Sequence, residues 1–276
     1  MAAATTLPIS TCTHTQRQQT ETTGSEHRHE PNPFSTPNTQ DDTMPKHVLI
    51  IQNERPETLG LYETRLREKA QTTLIHAYTM KPQERFPPTD RFDAFIIGPT
   101  PISANDAHNH PFLRKELDYL QRIINSGKPT LGVCCGGQML SMLQGGQVHR
   151  SPRKEIGGYT VNLTDHGLKD PLFRGFPPTF PVFHWHQDAF TVPPGGHLLA
   201  TGDPCPVQAY AKDNVRGLIF HLEITEQDAR RWADAYPNEP KAIGKTGEQA
   251  LAECRAAEPQ MRELAEKLAD NLLAIT

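Results

Sequence analysis

The chain has 276 residues, of which 36% are hydrophobic and 22% charged, and its formal net charge is −4. That length and apolar content allow one domain with a sizeable core, and the lack of a basic stripe argues against nucleic acid as a partner. Every apolar run is far shorter than the roughly 18 residues of a membrane-spanning helix, so no membrane partner is expected either.

The first 44 residues differ from the rest of the chain. They are rich in Thr, Ser, Gln, Asn and Pro and contain almost no aliphatic side chains. Such a segment cannot bury enough apolar surface to offset the entropy lost on ordering, and it has no apolar stretch after a basic start that would mark a secretory signal. We therefore predict a disordered tail at 1–44 and a folded domain at 45–276.

The first half of that domain alternates predicted strands with predicted helices. Short apolar runs rich in Val and Ile indicate buried strands, and apolar residues at helical spacing indicate helices. The predicted strands lie at 47–52, 73–78, 94–99 and 129–134, and the predicted helices at 57–70, 112–127 and 136–146. This order predicts an α/β fold with a mostly parallel, doubly wound sheet that has helices on both faces.

The second half is richer in β-structure and ends in a helix. Predicted strands lie at 159–164, 180–186, 197–202, 206–211 and 216–221, and an amphipathic helix at 247–275 contains Pro259. We expect these strands to form a β-rich section added to the parallel sheet.

The chain contains five cysteines at irregular spacing. An odd, sparse set does not resemble the disulfide framework of a secreted domain. It predicts a reducing compartment, and hence a cytoplasmic protein.

Two of these cysteines are adjacent, in a stretch that reads Gly132-Val133-Cys134-Cys135-Gly136. It joins a predicted strand to a predicted helix and fits the spacing Gly-x-nucleophile-x-Gly of a nucleophile elbow. The N-terminus of the following helix would lower a thiol pKa and offer free N–H groups to an oxyanion. The pattern predicts Cys134 as the nucleophile, although most free cysteines are simply small buried hydrophobes.

A nucleophilic thiol needs a base, and the stretch GLIFHLE at 217–223 offers one. A predicted strand ends at His221, and Glu223 lies two residues further, on the same side of an extended chain. A carboxylate in that position can orient the imidazole.

These motifs together resemble the class I glutamine amidotransferase family, whose members show Gly-x-Cys-x-Gly-x-Gln followed by Phe-His-x-Glu. The likeness covers roughly residues 46 to 230, includes DPLF and FPVFHWHQDAF, and is strongest to the stand-alone, GMP-synthase-like members. It implies a flavodoxin-like core, a Cys-His-Glu triad, a thioester formed with glutamine or a γ-glutamyl compound, and no cofactor.

The resemblance also implies roles for individual residues. They are Cys134 as nucleophile, His221 as general base and acid, Glu223 as the orienting carboxylate, Thr100 and Cys135 as backbone oxyanion donors, and Gln138, Asp188 and His186 as substrate-binding residues.

Two positions depart from the family pattern. Pro99-Thr100-Pro101 stands where relatives have Gly-Gly-Pro, and a threonine resists the positive φ that glycine accepts. Gly137 stands where many relatives carry a larger residue, which we expect to open space beside the substrate pocket.

The stretch FHWHQD raises the question of a metal site. His184, His186 and Asp188 alternate along a predicted strand, so their side chains would share a face. No CxxC or HExxH partner accompanies them, and zinc generally takes three or four ligands. We therefore expect this stretch to form a substrate wall and predict no metal.

Three functions remain open from these residues. The first is a glutaminase subunit that releases ammonia to a separate synthase in trans. The second is a free-standing γ-glutamyl peptidase or hydrolase. The third is a non-catalytic binding or regulatory protein that keeps the fold.

Overall fold

A computed structural model describes residues 45–276 of the chain. The predicted tail at 1–44 lies outside the described residues. Within 45–276, no helix is both long enough and apolar enough to cross a membrane.

One sheet of nine strands organises the described part of the chain. The strands are β1 (His47–Gln52), β2 (Gln71–His76), β3 (Ala94–Ile97), β4 (Thr130–Val133), β5 (Val148–Leu163), β6 (Thr179–Phe190), β7 (His197–Thr201), β8 (Ala209–Lys212) and β9 (Val215–Leu218). Their order across the sheet is β2-β1-β3-β4-β9-β8-β7-β5-β6. The five strands from β2 to β9 run parallel, which confirms the predicted core, and the remaining four extend the sheet with antiparallel pairings.

Helices cover both faces of the parallel half, as predicted. The helices are α1 (Gly60–Lys69), α2 (Pro111–Asn125), α3 (Cys135–Leu143), α4 (Asp165–Lys169), α5 (Glu226–Ala235) and α6 (Gly247–Ala274), of which the short α4 packs on β7 in the antiparallel half. Val48 and Ile50 of β1 pack on the face covered by α1, α5 and α6, whereas Leu49 and Ile51 pack on the face covered by α2 and α3. A strand buried on both faces is apolar throughout, which is why β1 is recognisable in the sequence.

The antiparallel half differs most from the sequence-based expectation. The strand predicted at 159–164 is only the last part of β5, which begins at Val148. The missed stretch contains Pro152 and several charged residues, and its register with β6 shifts between Arg150 and Glu155. Proline and an irregular register are typical of a bulge, and they hide the alternation that marks a regular strand.

The helices also differ from the sequence-based prediction, which has no helix at the position of α4. Helix α1 begins at Gly60 instead of residue 57, because Gly60 takes a φ of +37° that ends the preceding loop. Helix α5 is absent from the sequence-based prediction, although Thr225 and Asp228 form a capping box at its start.

Strand β9 ends at Leu218, short of the predicted end at 221. The chain then crosses to β6, where His221 and Phe183 exchange two backbone hydrogen bonds of 2.9 and 3.0 Å. His221 is therefore anchored by β6 and not by the ladder of β9.

Candidate active site

The turn at Cys134 has the strained geometry of a nucleophile elbow. Cys134 joins β4 to α3 with φ 50° and ψ −113°, in a region that residues with a side chain rarely occupy. A Cβ at Gly132 would lie 2.6 Å from the carbonyl carbon of Gly136, and a Cβ at Gly136 would overlap the carbonyl oxygen of Ile97. Both glycines are therefore required for the close approach of strand, turn and helix.

The environment of the Cys134 thiol is apolar and acidic. Burial, followed by the nearby Glu57 carboxyl, raises the pKa of Cys134 well above its ordinary value, and the Cys135 backbone N–H opposes this only in part. The N-terminus of α3 acts in the expected lowering direction through the Cys135 N–H, but desolvation outweighs it, so the pKa of Cys134 rises overall. At neutral pH the resting group is a thiol.

His221 and Glu223 form a buried pair. The Nδ1 of His221 lies 2.6 Å from one carboxylate oxygen of Glu223, and the other oxygen accepts the Leu222 backbone N–H at 3.0 Å. Because a carboxylate only accepts, this contact places a proton on Nδ1 of His221.

The N-terminus of α1 supports this pair from behind. The backbone N–H of Leu61 donates to the carbonyl oxygen of Glu223 at 2.8 Å. A Cβ at Gly60 would overlap that same carbonyl oxygen, so only glycine permits this contact.

Sheet pairing brings the thiol and the imidazole to one cavity. Val133 of β4 pairs with Leu218 of β9, and the Cys134 N–H donates to the Leu218 carbonyl at 2.8 Å. Cys134 and His221 both line a cavity of about 250 Å³ at the carboxyl ends of the parallel strands. Ligands of open α/β sheets generally bind at this edge.

The two predicted oxyanion donors lie at the same cavity. Thr100 follows β3, is buried and lines the cavity without taking a positive φ. The Cys135 thiol donates to the Ile102 carbonyl at 3.4 Å, which ties the elbow to the loop that carries Thr100.

The three predicted substrate-binding residues also line the cavity and are linked to one another. The Gln138 amide and the His186 Nδ1 both donate to the backbone carbonyl of Asp188, each at 3.0 Å. The Asp188 carboxylate accepts from the Ser103 hydroxyl at 2.6 Å. Asp188 thus links α3, β6 and the loop that carries Thr100 and Ser103.

The expectation for Gly137 is wrong. Its Cα faces β9, where a Cβ would lie 3.0 Å from the Leu218 carbonyl oxygen and 3.1 Å from that of Gly132. Gly137 is not among the residues that line the cavity. A small residue at this position therefore serves packing between α3 and β9 and does not enlarge the pocket.

Several cavity residues escape identification from the sequence. The Tyr236 hydroxyl donates to the Glu57 carboxyl at 2.8 Å, and burial raises the pKa of Glu57 to about 8. Lys154 pairs with Glu239 at 3.0 Å, and Trp185 donates to the same carboxylate at 2.8 Å. Glu57 has no local motif, but the capping box before α5 could have predicted the helix that leads to Tyr236 and Glu239.

The structure regroups the residues considered for a metal site. His184 and His186 lie next to Glu155 of β5, whereas the Asp188 carboxylate points to Ser103. Among residues 45–276, Glu155, His184 and His186 are the set whose ligand atoms lie close enough together to hold a metal ion. Burial lowers the pKa of His184 well below its ordinary value, so its imidazole is neutral.

Comparison with known proteins identifies the family of this chain. Residues 60–232 match the family described as "Glutamine amidotransferase class-I". The glutamine amidotransferase-like protein YfeJ of Salmonella typhimurium is 31% identical over 82% of this chain and 96% of its own length. A subunit of the glutamine-hydrolyzing GMP synthase of Ignicoccus hospitalis is 30% identical over 54% of this chain and 77% of its own length.

The fold of this chain also matches that of a solved structure. The crystal structure of a glutamine amidotransferase (TM1158) from Thermotoga maritima superposes with a TM-score of 0.76 at 27% identity, covering 84% of this chain and 99% of that one. The chain therefore belongs to the class I glutamine amidotransferase family.

Proposed function

We propose that this protein hydrolyses the side-chain amide of glutamine through a glutamyl thioester on Cys134. The observation that carries the proposal is the 2.6 Å contact between His221 and Glu223 beside the strained Cys134, on one small cavity. A family relationship alone would not supply a base, but an oriented imidazole next to a nucleophile elbow does.

In the proposed reaction, His221 acts first as the base and then as the acid. His221 Nε2 takes the Cys134 proton while the sulfur attacks the amide carbon, and the N–H groups of Thr100 and Cys135 stabilise the oxyanion. The C–N bond then breaks, and His221 returns the proton to the departing ammonia. Water, deprotonated by His221, attacks the thioester, the C–S bond breaks, and glutamate and the free thiol result.

Gln138, Asp188 and His186 are proposed as the wall that receives the amino-acid end of the substrate. The Asp188 carboxylate would pair with the α-ammonium group, and Gln138 and His186 would hold Asp188 in place by their bonds to its carbonyl. The cavity, about 250 Å³, suits a ligand of amino-acid size.

We propose that the ammonia is passed to a separate synthase in trans and that the protein works in the cytoplasm. Two observations support these assignments. One relative is named as a subunit of GMP synthase, and the described cysteines, at 134, 135, 205 and 254, are all free thiols.

A free-standing γ-glutamyl hydrolase is the second candidate, and one feature of the cavity favours it. Arg150, Lys154 and Glu239 line the cavity, yet amide hydrolysis itself has no use for them. Such charged groups could bind the residue that follows the γ-glutamyl bond in a peptide substrate.

A substrate panel tests these assignments. The purified chain is incubated with glutamine and with γ-glutamyl dipeptides, and glutamate release is measured, with Cys135→Ala as the matched control for Cys134→Ala. Release from glutamine supports the first candidate, and release from the dipeptides alone supports the second. If neither is cleaved and no glutamine-like diazoketone attaches to Cys134 by mass spectrometry, the protein is a non-catalytic member of the family.

A further inference from the structure

A second polar cluster lies between β5 and β6, on the far side of the substrate wall. Glu155 and His186 are direct cross-strand partners, and His184 shares their face two residues away along β6. One ligand atom from each of the three residues lies within 4.8 Å of the other two. All three residues are buried, and Glu155 and His184 are fully so.

The polar atoms of this cluster have almost no hydrogen-bond partners. Within the described residues, neither carboxylate oxygen of Glu155, neither ring nitrogen of His184 and not the Nε2 of His186 makes a hydrogen bond. Buried polar atoms nearly always have partners in native proteins, so five unpaired atoms on three neighbouring side chains need an explanation.

The tautomer of His186 determines which ring nitrogen faces Glu155. Its Nδ1 lies 3.0 Å from the Asp188 carbonyl oxygen, and because that oxygen only accepts, Nδ1 carries the proton. Nε2 is then the ring nitrogen left to face Glu155, and it lies 3.2 Å from a Glu155 oxygen without a hydrogen-bond partner. A metal ion between these two atoms could bind both of them.

The distances suit a metal ion better than a shared proton. The Glu155 oxygen lies 3.2 Å from His186 Nε2 without forming an aligned hydrogen bond. Two ligand atoms on one tetrahedral ion, each at ~2.0–2.1 Å, are separated by roughly 3.3 Å. The other Glu155 oxygen lies 4.0 Å from His184 Nε2, which a small rotation of either side chain would shorten.

We propose that Glu155, His184 and His186 bind a divalent transition-metal ion, with Zn²⁺ as the best match. Two imidazoles and one carboxylate form a donor set that zinc accepts, and the bond from His186 Nδ1 to a carbonyl is the usual way a histidine ligand is oriented. The sequence suggested Asp188 as a third ligand beside the two histidines and, without a CxxC or HExxH partner, predicted no metal, whereas the structure places Glu155 beside them.

The ion would fix the wall of the cavity and take no part in the reaction. It would join β5 to β6 just beyond the register shift between Arg150 and Glu155. It would also hold His186, whose bond to the Asp188 carbonyl is shared with Gln138. His184, His186 and Glu155 are thus positioning residues.

Metal content of the full chain, prepared without a polyhistidine tag, tests the proposal. After dialysis against Zn²⁺ and removal of the excess, mass spectrometry should find about one Zn²⁺ per chain, and Co²⁺ in its place should give the visible absorption of a low-coordinate site. Glu155→Gln and His184→Gln should weaken Zn²⁺ binding by tenfold or more in competition with a chromophoric chelator.

His166→Asn is the matched control. His166 and His197 are exposed and their rings stack at 4.3 Å, so they represent adventitious binding by surface histidines. This variant should keep the wild-type affinity. The proposal would be overturned if the wild type and the three variants bound Zn²⁺ equally well, or if the wild type took up neither Zn²⁺ nor Co²⁺. The cluster would then be held together by a shared proton instead of a metal ion.

Thermal unfolding of the wild type and of His166→Asn tests the proposal even if the Glu155 and His184 variants do not fold. Zn²⁺ should raise the thermal midpoint of the wild type and of His166→Asn, and a chelator should lower it to the metal-free value. A wild type whose midpoint responds to neither treatment would contradict a buried site.

Discussion

The two halves of the sheet contribute different things to one cavity. The parallel half supplies the groups proposed for bond breaking, because Thr100, Cys134 and His221 follow β3, β4 and β9 at a common edge. The antiparallel half supplies the wall, with Lys154, Trp185 and Asp188 on β5 and β6. We therefore expect changes in the parallel half to affect the reaction itself and changes in the antiparallel half to affect substrate binding.

Removal of the thiol tests the parallel half most severely. Cys134→Ala should lower kcat for glutamine by roughly 10⁴-fold or more, because the covalent path is lost. Cys135→Ala should change kcat less than a few-fold, since its side chain contributes only packing and one weak hydrogen bond. Steady-state ammonia release measures both, and equal activity of Cys134→Ala and wild type would refute the nucleophile.

The orienting carboxylate should give the next largest effect. Two N–H groups now donate to the Glu223 carboxylate, and Glu223→Gln leaves only one acceptor oxygen for them. The His221 proton can therefore move to Nε2, where it would prevent this nitrogen from acting as the base. We expect kcat to fall by roughly 10²- to 10⁴-fold with little change in folding. Glu63→Gln, which alters a salt bridge with Arg67 on the surface of α1, is the control and should keep the wild-type kcat.

The wall should respond differently. Lys154→Met removes a cation that pairs with Glu239 at the cavity, so it should raise KM for γ-glutamyl dipeptides by roughly tenfold and leave kcat nearly unchanged. The KM for glutamine, which is too short to need this cation, should change less. A fall in kcat with KM unchanged would contradict the separation of the two halves.

A further prediction concerns stability and not catalysis, and it again belongs to the parallel half. Burial raises the pKa of Glu116 on α2 from 4.5 to about 8, and Asn53 donates to this carboxyl at 3.0 Å. Since the folded chain holds a proton that the unfolded chain has lost, the free energy of unfolding should fall as pH rises from about 5 to 8, by up to about 1.4 kcal/mol per unit.

Glu116→Gln should flatten this dependence, because the amide has no proton to lose. Urea unfolding at about pH 5.5 and about pH 7.5, on either side of the expected change, measures the difference. Glu57, whose pKa is raised in the same direction, leaves a residual slope of the same sign. A variant with the full wild-type slope would show that Glu116 is ionised in the folded protein.

The two halves could be predicted from the sequence to unequal extents, for a physical reason. Strands buried on both faces are continuous apolar runs, so β1, β3 and β4 could be recognised, and the spacing around Cys134 follows from backbone sterics alone. The first part of β5 is half-exposed, charged and irregular, and it shows no such pattern. Glu57 escaped notice because a loop residue reaches a cavity by tertiary folding, which leaves no local signal.

Gly60 offers a criterion for sorting relatives that the catalytic motifs cannot give. Its φ of +37° and its closeness to the Glu223 carbonyl mean that we expect any side chain there to displace Glu223, the carboxylate proposed to orient His221. A related sequence with an intact Cys, His and Glu but a bulky residue at this position should therefore be an inactive pseudoenzyme. The three residues proposed for catalysis would not distinguish such a protein from an active one. The residue at the position of Gly60, at the start of α1, would.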